Sequence, residues 1–224
     1  MIRINRRAAA TGAALALLLL AAGTLAVTGG LGYTTSVSER AVEQFAGRYG
    51  AGARTRLLEW RGLARTRKGD AADSSLLAPV NGFFNRLPFV SDLAHWGVED
   101  YWATPAEALA SNGADCEDFS IAKYFMLKEL GVPIGRLRIT YVMARRLNQA
   151  HMVLAYYPTP DGEPLILDNL EDSVLPASQR ADLVPVYSFN DDELRLADGG
   201  RLGNPIQIRK WRDLLIRLER EATL

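Results

Sequence analysis

At Gly131-Val132-Pro133 the hydrophobic rhythm of this chain changes, and no other feature restricts its fold as much. Ahead of that point apolar residues recur at helical intervals: Val42, Phe45 and Tyr49, then Leu57, Leu58 and Trp60, and finally a stripe of Phe119, Ala122, Tyr124, Phe125 and Leu127. Asn112, Gly113 and Asp115 supply turn and capping chemistry for that last helix, and Gly131 with Pro133 ends it. Beyond it come RLRITYVMA (136–144), AHMVLAYY (150–157), PLILDN (164–169) and LVPVYSFN (183–190), short β-branched or aromatic runs separated by turn residues such as PTPDGE. After a loop at the DGG of 198–200, PIQIRKWRDLLIRLERE returns to helical spacing with alternating charges. Helices first and an antiparallel sheet second is an α+β plan.

The opening thirty residues stand apart. Arg3, Arg6 and Arg7 precede an apolar run from about Ala8 to Val27, with small residues near Thr24 and Ala26, which is the layout of a secretory signal peptide. Twenty or so apolar residues can also span a bilayer, so an uncleaved inner-membrane anchor is the alternative. Either way the folded part is expected outside the cytoplasm. The domain plan is a signal segment over 1–30, a helical segment over 31–75 ending in the loose connection KGDAADSS, and a core with its C-terminal helix over 76–224. Without the three N-terminal arginines, the 26 Lys and Arg fall to 23 against 26 Asp and Glu, so no basic footprint for nucleic acid remains.

An exported protein commonly carries cysteines in pairs, whereas this one has the single Cys116. Cysteine chemistry needs a thiolate, a base and a group that orients the base. Cys116 opens a helix, whose free N–H groups and dipole favour an anion and can lower a thiol pKa. His151 lies on AHMVLAYY and Asp168 on PLILDN, seven residues before and five after the intervening turn, so a hairpin brings the two nearly opposite one another. Taken singly, a lone Cys at a helix start is more often a small buried hydrophobe, His151 reads equally as a core histidine, and Asp168-Asn169 as a turn. The three in order carry more weight than any one. The other histidine, His95, sits in LAHWGVEDYW and is expected to pack in an aromatic cluster. Two histidines and one cysteine cannot fill a His/Cys zinc site without carboxylates, and no Gly-rich phosphate loop, HExxH or GxSxG occurs.

DYWATPAEAL, GADCEDFSIAKYFMLKELGV, RLRITYV, QAHMVLAYY, PLILDNL and PVYSFN together resemble the bacterial transglutaminase-like cysteine proteinases, over roughly residues 75 to 195. The first 70 residues match weakly. The resemblance implies a papain-like, transglutaminase-like core with Cys116 as nucleophile, His151 as base and Asp168 as orienter of the imidazole. It implies a periplasmic protease whose substrate is a large RTX-type surface adhesin, cut near its N-terminal retention module so that cells leave a biofilm. It also implies an inner-membrane cyclic-di-GMP receptor as a sequestering partner.

Three acids surround the thiol: Asp115, Glu117 and Asp118. They repel one another and oppose a thiolate, so a structure that holds them together gains from a hard cation bound through oxygen. The resemblance implies the same, because the family is calcium-dependent and the DCED segment supplies ligands. Without it, a solvated acidic helix start is the plainer reading. One helical turn cannot aim all three acids at one point, so another segment must close a Ca2+ site, and Asn81 or Asn85 is a candidate. Two rival functions use the same residues: a protein-crosslinking transglutaminase, and a non-catalytic calcium-dependent periplasmic binding module with an inert Cys116.

Overall fold

The computed structural model describes residues 37–66 and 72–224, so the signal segment and part of the KGDAADSS connection lie outside the described residues. Ahead of Gly131 the chain forms α1 (Glu39–Tyr49), α2 (Ala51–Thr66), α3 (Leu77–Phe84), the single turn α4 (Asp92–His95), α5 (Pro105–Ser111) and α6 (Cys116–Glu129). After it come the strands β1 (Leu137–Ala144), β2 (Gln149–Tyr156), β3 (Leu165–Leu167), β4 (Leu175–Pro176), β5 (Leu183–Phe189), β6 (Leu194–Leu196) and β7 (Arg201–Gly203), then helix α7 (Arg209–Ala222). The strands make one antiparallel sheet in the order β4-β3-β2-β1-β5-β6-β7. This is the α+β plan that the change of period predicts. The short strands β4, β6 and β7 carry no sequence signal of their own, because two or three residues are too few for an alternation to register.

Helix α6 departs from the single apolar stripe that its sequence predicts. Every residue from Asp118 to Leu127 is buried, so α6 runs through the middle of the molecule rather than along its surface. One side lies on β2 and β1 and the others meet α3 and α5. Its far half is enclosed by aromatic rings: Phe125 stacks on Trp211 of α7 at 5.5 Å between centroids, and Tyr124 meets the same indole edge-on at 5.8 Å. Rings at such separations add about 0.5–1.5 kcal/mol each beyond the area they bury. Gly131, at φ 87°, then turns the chain out of the helix in the left-handed region, as its place in the sequence predicts.

Helix α2 contributes Ala53, Leu57 and Trp60, spaced one helical turn apart, to the same core, and its Arg56 reaches across to α5. The Arg56 Nε donates to the carbonyl of Leu109 at 2.5 Å and Nη2 to that of Ala110 at 2.8 Å. Those carbonyls belong to the last turn of α5, where no helical N–H remains to take them. The other end of α5 is closed by a capping box: Thr104 Oγ1 accepts from the Glu107 N–H and Glu107 Oε2 from the Thr104 N–H, with Pro105 at the first position. A helix held at both ends delivers Asn112, and with it the approach to Cys116, to a fixed place.

Candidate active site and metal centre

Four residues join α5 to α6, and each is constrained. Asn112 takes the left-handed conformation (φ 59°, ψ 48°) that reverses the chain after α5. Gly113 lies flat against the ring of His95, so close that a Cβ there would sit 2.7 Å from the ring Cε1. Ala114 pairs with the 88–90 segment, accepting from the Val90 N–H at 2.9 Å and donating to the Pro88 carbonyl at 3.3 Å. His95 itself is fixed by a 2.8 Å hydrogen bond between Nε2 and Ser111 Oγ and packs edge-on against Trp96, in the aromatic setting its sequence context predicts.

Cys116 is half-buried at the first residue of α6. Ser120, one turn on, ties this end of the helix to β2 through Oγ, which donates to the carbonyls of Cys116 (3.0 Å) and Met152 (2.9 Å). A backbone hydrogen bond from Met152 also reaches the sulfur, so the thiol lies against the residue that follows His151. The Cys116 Sγ donates to Glu117 Oε2 at 3.0 Å. Here the expected lowering of the thiol pKa by the helix start is overridden. Burial is the largest cause and pushes the thiol up, the Glu117 and Asp115 charges push it further, and the Met152 hydrogen bond opposes them only in part.

The hairpin of β2 and β3 does bring the other two residues together. Leu154 pairs with Leu167, which sets Asp168 one step beyond β3 and within reach of His151, and His151 Nε2 lies 2.8 Å from Asp168 Oδ1. Both are buried. Asp168 also accepts from the Leu170 N–H at 3.0 Å and from Arg180 Nη2 at 2.7 Å. Burial alone would raise the Asp168 pKa, but the hydrogen bonds from His151, Leu170 and Arg180 outweigh it and bring the carboxyl down to about 2. Asp168 is therefore an anion at every relevant pH, and His151 keeps its second ring nitrogen, Nδ1, for other work. Arg180 was not anticipated: a single arginine in a turn carries no local signal.

The acids of the DCED segment separate into two groups that share a fourth residue. Asp115 and Asp118 converge with Asp92, and Glu117 with Asp92 and Asp100, the ligand oxygens of each group lying within 4.8 Å of one another. Asp92 is the closing residue that one helical turn lacks. Asn81 and Asn85 are engaged elsewhere, holding the segment after β3: Asn81 Nδ2 donates to the carbonyls of Glu171 and Asp172, and Asn85 Nδ2 to the Asp168 carbonyl and Asp172 Oδ1. Burial, then the charges of Glu117 and Asp118, push Asp115 up to about 10, and burial likewise takes Asp92 up to about 6 and Asp118 well above the carboxylate range. Asp115 Oδ1 and Asp92 Oδ1 are buried with no hydrogen-bond partner. Orphaned oxygens in an all-carboxylate cluster fit a hard divalent cation such as calcium.

A cysteine at the start of a central helix, set against an antiparallel sheet that carries a histidine–carboxylate pair, defines the papain-like, transglutaminase-like fold. The chain belongs to the bacterial transglutaminase-like cysteine proteinases, whose family model matches residues 61–183. It is similar to LapG of Legionella pneumophila, with 43% identity over 81% of this chain and 98% of that one and a TM-score of 0.71. The EGTA-treated and calcium-bound forms of Legionella LapG give TM-scores of 0.72 and 0.70 at the same identity. No match was found among curated proteins.

Proposed function

We propose that this chain is a calcium-dependent cysteine endopeptidase with Cys116 as nucleophile, His151 as general base and acid, and Asp168 as the group that orients the imidazole. The observation that carries the reading is the His151 Nε2–Asp168 Oδ1 hydrogen bond on the strand against which the Cys116 helix starts. With Nε2 committed to a permanent carboxylate, Nδ1 is left to take the thiol proton. The Cys116 sulfur attacks the peptide carbonyl, His151 returns the proton to the leaving amine, and water releases the thioester by the same route in reverse. The Cys116 N–H, at the first position of α6, is a donor for the oxyanion. Asp92, Asp115 and Asp118, with Glu117 and Asp100 beside them, would hold calcium. Bound there, calcium supplies positive charge that neutralises the crowded acids next to the thiol.

The substrate is proposed to be the N-terminal region of a large RTX-type surface adhesin, cleaved in the periplasm under the control of an inner-membrane cyclic-di-GMP receptor. The Arg-led apolar segment at residues 1–30 supports export. Among the described residues no helix is long and apolar enough to cross a membrane. The purified protein incubated with the N-terminal region of a co-encoded large adhesin is expected to produce a new N-terminus in calcium and none in EGTA. Cys116→Ala is expected to abolish cleavage. Ammonia release and crosslinked product without new N-termini would assign the same residues to a transglutaminase. Undiminished processing by Cys116→Ala would remove the cysteine from the mechanism.

A further inference from the structure

Cys116, Ser120 and Lys123 lie at i, i+4 and i+7 on α6 and so share one face of the helix. Lys123 is 1% exposed, and its Nζ has no hydrogen-bond partner among the described residues. The Phe119 ring is 5.6 Å from it. The charges that act on it are those of Asp168 and Asp172, on the segment that follows β3. Helix α3 packs against α6, and its Asn81 and the adjoining Asn85 hold that same segment through the carbonyls of Asp172 and Asp168. The Oδ1 atoms of Asn81, Asn85 and Asn169 are also buried and unpartnered.

A desolvated ammonium without a hydrogen bond costs stability that a Met or Leu of similar volume would not. Asp168 does not depend on it as a donor, since the carboxylate already accepts from His151, Leu170 and Arg180. What Lys123 adds is charge, buried on the same face of α6 as Cys116 and Ser120. We propose that Lys123 is a positioning residue of the active centre: its buried ammonium balances the Asp168 carboxylate and so sets how tightly His151 holds the proton it gives to the leaving amine. This rests on the assignment of His151 and Asp168 made above.

The effect has a pH signature. Burial brings Lys123 down to about 7 against the opposing pull of Asp168 and Asp172, so the cation is present below neutrality and fades above it. Arg180, paired with Asp168 and Asp182, keeps its charge throughout and is the constant part of the field. Without the Lys123 cation, the imidazolium faces a less balanced carboxylate and is a weaker acid toward the leaving group.

The test compares kcat and KM of the wild type, Lys123→Met and Lys123→Arg on an adhesin-derived peptide in calcium at pH 6 and pH 8.5. Lys123→Met is expected to lower kcat about tenfold at pH 6, the equivalent of one pKa unit, with KM unchanged and the deficit shrinking by pH 8.5. Lys123→Arg restores rate at pH 6, and the melting temperature of Lys123→Met at pH 6 is no lower than wild type. Wild-type kcat in Lys123→Met at both pH values overturns the proposal. So does an equal loss at both pH values in Lys123→Met and Lys123→Gln, which assigns the residue to packing. If the wild type cleaves nothing, the protease reading has failed, and iodoacetamide alkylation of Cys116 then decides the Lys123 question alone. A mutant-to-wild-type alkylation ratio that differs between pH 6 and pH 8.5 supports the coupling, and a constant ratio overturns it.

Discussion

The Cys116 thiol donates to Glu117 Oε2 at 3.0 Å, so the side chain next in sequence holds the proton that the proposed mechanism passes to His151. Burial and then the Glu117 charge push the thiol pKa up, and both act in the direction of an inert cysteine. Glu117 also belongs to a carboxylate group with Asp92 and Asp100, so a cation that engages it withdraws the acceptor and the repelling charge together. Alkylation of Cys116 by iodoacetamide at pH 7.5 is expected to be at least about tenfold faster in calcium than in EGTA, the equivalent of one unit in thiol pKa. Glu117→Gln is expected to raise the EGTA rate and to flatten the calcium response. Equal alkylation rates with and without calcium in the wild type would break the link between the acids and the thiol.

Asp92 is the residue that both carboxylate groups share, and it comes from a different part of the chain from Asp115, Glu117 and Asp118. The Tyr101 N–H holds its Oδ2, and its Oδ1 is buried without a partner. Asp92→Asn keeps the size and removes the charge, so the expected result is at least about tenfold weaker calcium binding by isothermal titration, roughly 1.4 kcal/mol, with the fold intact. An affinity unchanged from wild type would exclude Asp92 from the ligand set.

What the sequence made legible follows from how local each signal is. Cys116 is marked by the capping residues ahead of it and the apolar spacing behind it, and His151 meets Asp168 because a hairpin fixes its own register. Asp92, Asp100 and Arg180 reach the site through tertiary structure, from the α4 turn, the segment that follows it and the 177–182 turn, and nothing in their neighbouring residues distinguishes them from surface charges. Lys123 was hidden for the opposite reason: a lysine in an amphipathic pattern reads as solvent-facing, and only the burial of α6 on all sides reveals otherwise.

Glu221 near the end of α7 provides a pH dependence that is independent of the active centre. Burial raises its pKa to about 8, more than the hydrogen bond from Thr104 Oγ1, at 2.7 Å, can offset. The folded state therefore keeps a proton between about pH 4.5 and 8 that the unfolded chain releases, and stability falls as pH rises through that window. The melting temperature is expected to be higher at pH 5.5 than at pH 8.5. Glu221→Gln, which stays neutral and can still accept from Thr104, is expected to reduce that difference by at least about 3 °C. A difference unchanged by the substitution would place the pH dependence elsewhere.

Gly113 and His95 offer the sharpest test of how the approach to Cys116 is held. A Cβ at Gly113 would meet the His95 ring at 2.7 Å from Cε1 and 3.0 Å from Nδ1, closer than real side chains come, so either the ring or the loop must move. The ring is held by Ser111 and Trp96, and the loop by its pairing with Pro88 and Val90. Gly113→Ala is therefore expected to cost about 1–3 kcal/mol of stability and to lower the Cys116 alkylation rate, because the strain falls three residues from the sulfur. His95→Ala opens the space that the new methyl needs. The double variant His95→Ala/Gly113→Ala should then be more stable than the sum of the single losses predicts, with a coupling of about 1 kcal/mol. Strict additivity in urea denaturation would mean that the loop gives way and the ring does not set its course.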